Sequence, residues 1–353
     1  MVSYERSESM YSTIIDQNIG QVHRKGVANK ILQSMDRIRN EYDEVQARRW
    51  PTELLQNARD LAYPDEPVSI QFELTDDCVY FRHSGKPFSV RDILSIINQV
   101  SSKKPGEGIG QFGTGFMSTF QLSMQVTVRS YLKDESEPYK RFEVCLDRSG
   151  TTHEEISQAI AEALEALKEV DHAPDEENFQ KYKLNTEFCY HLTQKQSRKI
   201  ARIGMEDLEN SLIYTMLFSE RIKQVELLFH TSDKQQELCF RRGEKKEICS
   251  HVDRQEIWEG TTLYTCYLYQ QPNLMLAAQW EKEKGFLALG EYAPRLYIDF
   301  PLVGSEDFPF PVVINSREFR PNEPRSGISL VEHEQSLDAA KNRELIDSAV
   351  AAY

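Results

Sequence analysis

The stretch SSKKPGEGIGQFGTGF, residues 101–116, constrains this chain more than any other. Five glycines fall within the ten positions 106–115. Glycine loses the most backbone freedom on folding and has no side chain to pack, so such a run suits neither a core strand nor a helix interior. It reads as a loop. From Phe112 onward the sequence turns helical, so the loop delivers its backbone N–H groups to a helix N-terminus. Together these make an anion cradle. Ser101, Ser102, Lys103 and Lys104 add donors and positive charge at the upstream end. Taken alone, the same glycines are also compatible with a plain flexible loop.

The flanking sequence places that loop in a layered fold. Val27, Ile31, Met35, Ile38 and Tyr42 recur at spacings of three and four, which describes one helical face within residues 20–49. A second helix is expected from Pro51, a favoured first-turn residue, to Ala62, with YPDEP breaking it. Val68 to Leu74 alternates apolar and polar, TDD turns the chain, and Cys78 to Phe81 runs back as a second strand. Phe88–Val100 reads as a helix. Strands are expected near Val126–Tyr131, Phe142–Leu146 and Leu184–Leu192, and a helix near 195–217. This order predicts an α/β sandwich, helices on one face of a mixed sheet.

Residues from about 149 to 181 read as an acidic helical insertion, solvated because no wide apolar face is evident. From Ile222 to about Leu330, short runs such as VELLFH, TTLYTCYLY and RLYIDFPL alternate with charged turns. With 353 residues, two domains are expected: 1–205, and a smaller β-rich α+β domain over 206–353. NRELIDSAVAAY has no helix stop signal, so the second domain is expected to be truncated at its C-terminal end.

Forty-two Lys and Arg stand against 56 Asp and Glu, a net charge of −14, which disfavours general binding to phosphate backbones. The run RRGEKK is too short to reverse that. No apolar run approaches the roughly 20 residues of a membrane helix, and MVSYERSESM lacks the apolar centre of a signal peptide. A cytoplasmic location without membrane attachment is therefore expected. The cysteines are Cys78, Cys145, Cys189, Cys239, Cys249 and Cys266. No two have zinc-knuckle spacing, so they read as reduced core thiols.

Two further segments carry chemistry. In ELLQNARDLA, Glu53, Asn57 and Asp60 stand at i, i+4 and i+7, sharing one helix face. A carboxylate there can take a proton from water, and a carboxamide oxygen one turn on can ligate a hard cation. By itself the pattern equally describes a solvated helix face. In FRHSGKPF, Gly85 permits a tight turn and close approach of a flat ligand.

In this order and spacing, the three segments resemble the GHKL (Bergerat-fold) ATPases. ELLQNARDLA is similar to that family's Glu-x-x-x-Asn-Ala-x-Asp-Ala motif, and GIGQFGTGF to the glycine loop of the ninety-kilodalton heat-shock chaperones. NTEF, with Thr186, resembles the strand motif that closes the nucleotide pocket. PRLYIDFPLVG and FPFPVVINSREFRPNEPRSGISL are similar to bacterial relatives of the sacsin-type branch. The resemblance is good over the first 200 or so residues and loose beyond them. It implies a Bergerat-type sandwich that binds ATP with Mg²⁺ and hydrolyses it slowly.

By that resemblance Glu53 would be the general base, Asn57 the Mg²⁺ ligand and Asp60 a support of the pocket. Gly110, Gln111, Phe112, Gly113, Thr114, Gly115 and Phe116 would offer backbone to the phosphates, with Lys103 nearby. Thr186 would sit near the adenine, and Val90–Gly108 would form a mobile lid. Arg325 would sense the γ-phosphate, with Arg317 as the alternative. The family's Asp-x-Gly-x-Gly motif is replaced here by His83-Ser84-Gly85-Lys86-Pro87. A neutral His83 would accept the adenine amine, and its titration near ~6.5 would make ATP affinity fall between pH 8 and pH 6.

The implied function is a conformational switch that forms a homodimer on binding ATP, the two subunits being released by slow hydrolysis to ADP. Residues 1–20, with Tyr4, Tyr11, Ile14 and Ile15, would cross to the partner subunit. Its output would be chaperone-like work on a protein client or control of a C-terminal effector, anti-phage defence being one setting. The alternatives are a non-hydrolysing nucleotide sensor or interaction module and a DNA-associated GHKL ATPase. Histidine kinases share the fold, but no phosphoacceptor helix precedes the ATP motifs.

Overall fold

A computed structural model describes Tyr11 and residues 24–40, 44–99, 114–322, 325–331 and 337–353. Helix α1, Arg24–Asn40, buries Ala28, Ile31 and Met35, and so uses the apolar spacing seen in the sequence. Tyr42 lies outside the described residues. Helix α2 spans Glu44–Asp60 and passes through Pro51, which was expected in the first turn. An interior proline removes one helical hydrogen bond and costs about 3 kcal/mol. The burial of Trp50, Leu54, Leu55 and Ala58 around it offsets that loss.

Strands β1, Val68–Thr75, and β2, Cys78–His83, form the expected antiparallel hairpin. Helix α3, Val90–Asn98, starts at a capping box in which the Ser89 hydroxyl accepts from Asp92 N and the Asp92 carboxylate accepts from Ser89 N. It stops at Gln99, whose φ of 50° is left-handed. The helix expected from Phe112 is short: α4 covers Thr114–Met117 and a 3-10 turn follows over Ser118–Gln121.

Next come β3, Gln125–Leu132, β4, Lys140–Asp147, helix α5, His153–Lys168, β5, Thr186–His191, and the long helix α6, Lys195–Phe218. Helix α5 corrects the expectation of a solvated insertion. Ile156, Ile160, Ala163, Leu164 and Leu167 are buried, and the helix packs on β4 and α1. Its apolar stripe follows the 3.6-residue period, and the acidic residues occupy the opposite side.

The remainder is β-rich, as expected. β6 covers Ile222–His230, β7 Gln235–Cys249, β8 Val252–Glu259, β9 Thr262–Gln270 and β10 Met275–Glu281. Short strands follow: β11, Gly285–Phe286, β12, Leu296–Ile298, β13, Phe300–Pro301, and β14, Val313–Asn315. Helix α7, Leu337–Ala352, closes the described chain.

All these strands belong to one open mixed sheet, ordered β13-β12-β14-β10-β9-β8-β7-β6-β1-β2-β5-β3-β4, with β11 paired to β10. β6 lies parallel to β1 over eight paired positions, so the sheet crosses the 205/206 boundary without a break. Over β1 to β6 one face is apolar. Ile70, Phe72, Val126, Val128, Phe188 and Leu227 pack there with Trp50, Leu54 and Leu212 of the helices in a single core. The other face carries a ladder of charge. Arg82 bridges Glu73 and Glu187 at 2.7 Å each, and Arg129 bridges Glu187 and Glu143 at 2.8 and 2.7 Å. Alternation along each strand produces this division. No helix among the described residues is long and apolar enough to cross a membrane.

Candidate functional site

Helix α2 presents Glu53 and Asn57 one turn apart, and the structure brings α4 against them. A Cβ built on Gly115 would stand 2.1 Å from Glu53 Oε2 and 2.9 Å from its Cδ. The last glycine of the loop and the first acidic residue of the helix motif are thus in direct contact, although 62 residues separate them (115 − 53). Only a residue without a side chain admits the carboxylate so close. The other oxygen, Oε1, accepts from Arg49 Nη2 at 2.9 Å. The carboxylate is therefore held from both sides, by a guanidinium and by a backbone surface.

Asn57 is 5% exposed, and its Nδ2 has no hydrogen-bond partner among the described residues. Buried amides are nearly always paired, so this one has unspent polar capacity beside a carboxylate. That capacity is a donor's, and it fits a phosphate oxygen. Asp60 is engaged differently. It accepts from Arg59 Nε at 3.0 Å, and Arg59 Nη1 donates to Asp299 at 3.0 Å. Arg317 Nε also donates to both Asp299 oxygens, at 3.0 and 2.9 Å. Arg317 is therefore committed to a carboxylate of its own half. At the other end of α2, Arg48 bonds Asp207 and Glu306 at 2.6 Å each. Burial pushes the Asp207 carboxyl up to about 6 against the pull of Arg48.

His83 overturns an expectation. It is 1% exposed, with its ring stacked on Phe188 at 6.5 Å and 5.6 Å from that of Phe81. Its Nδ1 accepts from the Gly85 N–H at 3.1 Å. The remaining nitrogen, Nε2, must then carry the proton and can only donate. No acceptor is left for an adenine amine. Burial also depresses the imidazole to about 3, so it does not titrate between pH 8 and pH 6. His83 is a turn-locking core residue. Gly85 is required for packing, since a Cβ there would lie 2.8 Å from His83 Nδ1 and 2.9 Å from Leu61 Cβ.

Thr186 faces His83 across the β2–β5 ladder and is fully buried. Its hydroxyl pairs with that of Ser130 at 2.7 Å. Phe116 packs edge-on to Phe188 at 5.7 Å and to Phe120 at 5.8 Å, which fixes the downstream end of the glycine loop on the core. Arg325 occupies a left-handed turn at φ 67°, and no hydrogen bond or ion pair joins its side chain to Glu53 among the described residues. Lys103, Gly110, Gln111, Phe112 and Gly113 lie outside the described residues, as does the side chain of Thr114. So does most of the 1–20 segment. Its Tyr11 is buried against its own chain, the hydroxyl donating to Pro138 O at 3.2 Å.

Sequence reasoning missed Arg49 and the Arg59–Asp299–Arg317 network. Arg49 was legible, because it stands four residues before Glu53 on the same helix face. Asp299 was not, because 240 residues separate it from Arg59. The chain matches no protein-family model and no curated protein.

Proposed function

We propose that this chain is a Mg²⁺-dependent ATP-binding and slowly hydrolysing switch on a Bergerat-type sandwich. One observation carries the reading: the Glu53 carboxylate lies against Gly115, so the helix motif and the glycine loop meet as one site. Glu53, oriented by Arg49, is the general base that takes a proton from the attacking water. Asn57 would hold the metal through its side-chain oxygen, since its Nδ2 can only donate, and backbone at Gly115 and Phe116 would face the phosphates. Bound Mg²⁺ would neutralise phosphate charge. Adenine recognition falls to groups other than the His83 ring. Nucleotide-driven homodimerisation, a client or effector, and a cytoplasmic setting complete the proposal.

Calorimetry with Mg-ATP tests it. Asn57→Ala should weaken binding at least 10-fold without lowering the melting temperature, since it removes an unpaired buried amide. Unchanged affinity would remove the metal role. Glu53→Ala should bind ATP and lose roughly 10²–10⁴-fold in single-turnover hydrolysis. The Arg49–Glu53 ion pair at 2.9 Å favours a second reading, a sensor that binds nucleotide without turnover. Wild-type protein that binds ATP and shows no single-turnover hydrolysis would establish that alternative.

A further inference from the structure

The outward face of the sheet holds a second group of chemically matched side chains. Cys78 of β2 lies directly opposite His191 of β5, and Tyr80 lies opposite Cys189. Alternation then puts Cys78, Cys189 and His191 on one face, opposite to that of His83. Their ligand atoms all lie within 4.8 Å of one another. Cys78 Sγ is 3.4 Å from His191 Nδ1, and Cys189 Sγ is 3.9 Å from His191 Nε2. The two thiols are sheltered, at 8% and 3% exposure, while His191 opens to solvent.

We propose that Cys78, Cys189 and His191 form a binding site for a zinc(II) ion. Zn–S bonds of about 2.3 Å and Zn–N bonds of about 2.0 Å imply tetrahedral edges of about 3.5 Å between S and N and about 3.8 Å between two S. The largest separation here, 4.8 Å, exceeds those edges by about 1 Å, which side-chain rotation can close. Two thiolates and one imidazole are a donor set that zinc favours over hard cations. Each thiol gives its proton to solvent as the metal binds. The fourth position faces water on the exposed His191 side.

Spacing in the sequence hides the site, because 113 residues separate Cys78 from His191. The cluster lies five residues along β2 from His83, roughly 17 Å at the strand rise of about 3.3 Å per residue. It therefore stands independently of the nucleotide reading. An ion here would clip β2 to β5, two interior strands of the sheet.

The test uses the full chain, reduced, stripped with chelator and thiol-counted, titrated with Zn²⁺ or with Co²⁺ as the spectroscopic stand-in. One equivalent should bind per chain, Co²⁺ should give a thiolate charge-transfer band, and Zn²⁺ should raise the melting temperature. Cys78→Ser and Cys189→Ser should each weaken binding 100-fold or more, and His191→Ala at least 10-fold. Cys249→Ser, at an exposed cysteine on β7, should change nothing. Melting of the stripped variants close to that of stripped wild type shows that the fold is intact. Two outcomes overturn the site: metal binding unaffected by all three substitutions, or reduced wild-type protein with no cobalt charge-transfer band.

Discussion

Replacing Gly115 with alanine separates the fold from the proposed chemistry. The new methyl would start 2.1 Å from Glu53 Oε2, whereas ordinary contact begins near 3.4 Å, so the carboxylate must retreat by about 1.3 Å. It is the far end of a flexible side chain, and the shift costs the fold little. Alanine in place of glycine in α4 gains up to about 1 kcal/mol of helix propensity. The melting temperature should therefore hold or rise. The site bears the loss instead. A misplacement of about 1 Å is worth roughly 10²-fold in rate, or about 2.7 kcal/mol of barrier. Single-turnover hydrolysis should fall by that factor, with Mg-ATP affinity within about threefold of wild type. In a Glu53→Ala background, Gly115→Ala should do nothing more, because both changes act through one carboxylate. Wild-type turnover in Gly115→Ala, or a full additional loss in the double variant, would refute the role of this contact.

A second helical glycine should behave in the opposite way. A Cβ on Gly204 of α6 would stand 2.1 Å from Trp50 Nε1 and 2.7 Å from Cε2, and a buried indole cannot bend aside. Gly204→Ala should destabilise by about 1–3 kcal/mol despite its better propensity, read by urea denaturation; a neutral or stabilising effect would contradict the packing. His83 should govern part of the acid limb of stability. Its folded-state value of about 3 lies below the ordinary 6.5, so its contribution is complete above pH 6.5 and is lost as pH falls towards 3. Between pH 7.5 and pH 5 that loss is about 2 kcal/mol. His83→Asn, which keeps an acceptor for Gly85 N–H, should remove it from urea-denaturation stabilities at the two pH values; an unchanged slope would mean that other groups carry it. Nucleotide affinity should show no His83 titration between pH 8 and pH 6.

Local periodicity revealed what local physics decides. The β1–β2 hairpin, α3, and the shared face of Glu53 and Asn57 follow from residues a few positions apart. Helix α5 differs from the expected solvated insertion because a stripe of only five buried apolar positions, narrow beside its many acidic residues, is enough to pack it. Pro51 sits inside α2 because tertiary burial of Trp50 and Leu54 outweighs a local preference. Within the site, the motifs were legible, while the tautomer of His83 was not. It depends on the Gly85 N–H reaching Nδ1, a matter of backbone direction that composition does not encode. The Arg59–Asp299 bond and the Cys78–His191 pair are products of topology, invisible until the strands are ordered.

The parallel pairing of β1 with β6 joins the two halves of this molecule mechanically. Eight consecutive positions, from Val68–Ile222 to Thr75–His230, tie the two halves along a common seam, with one irregularity after the first. Helix α2 is riveted across the same seam, by Arg48 to Glu306 near its start and by Arg59 to Asp299 near its end. Among the described residues, turning one half against the other would have to break this strand pairing and both ion pairs.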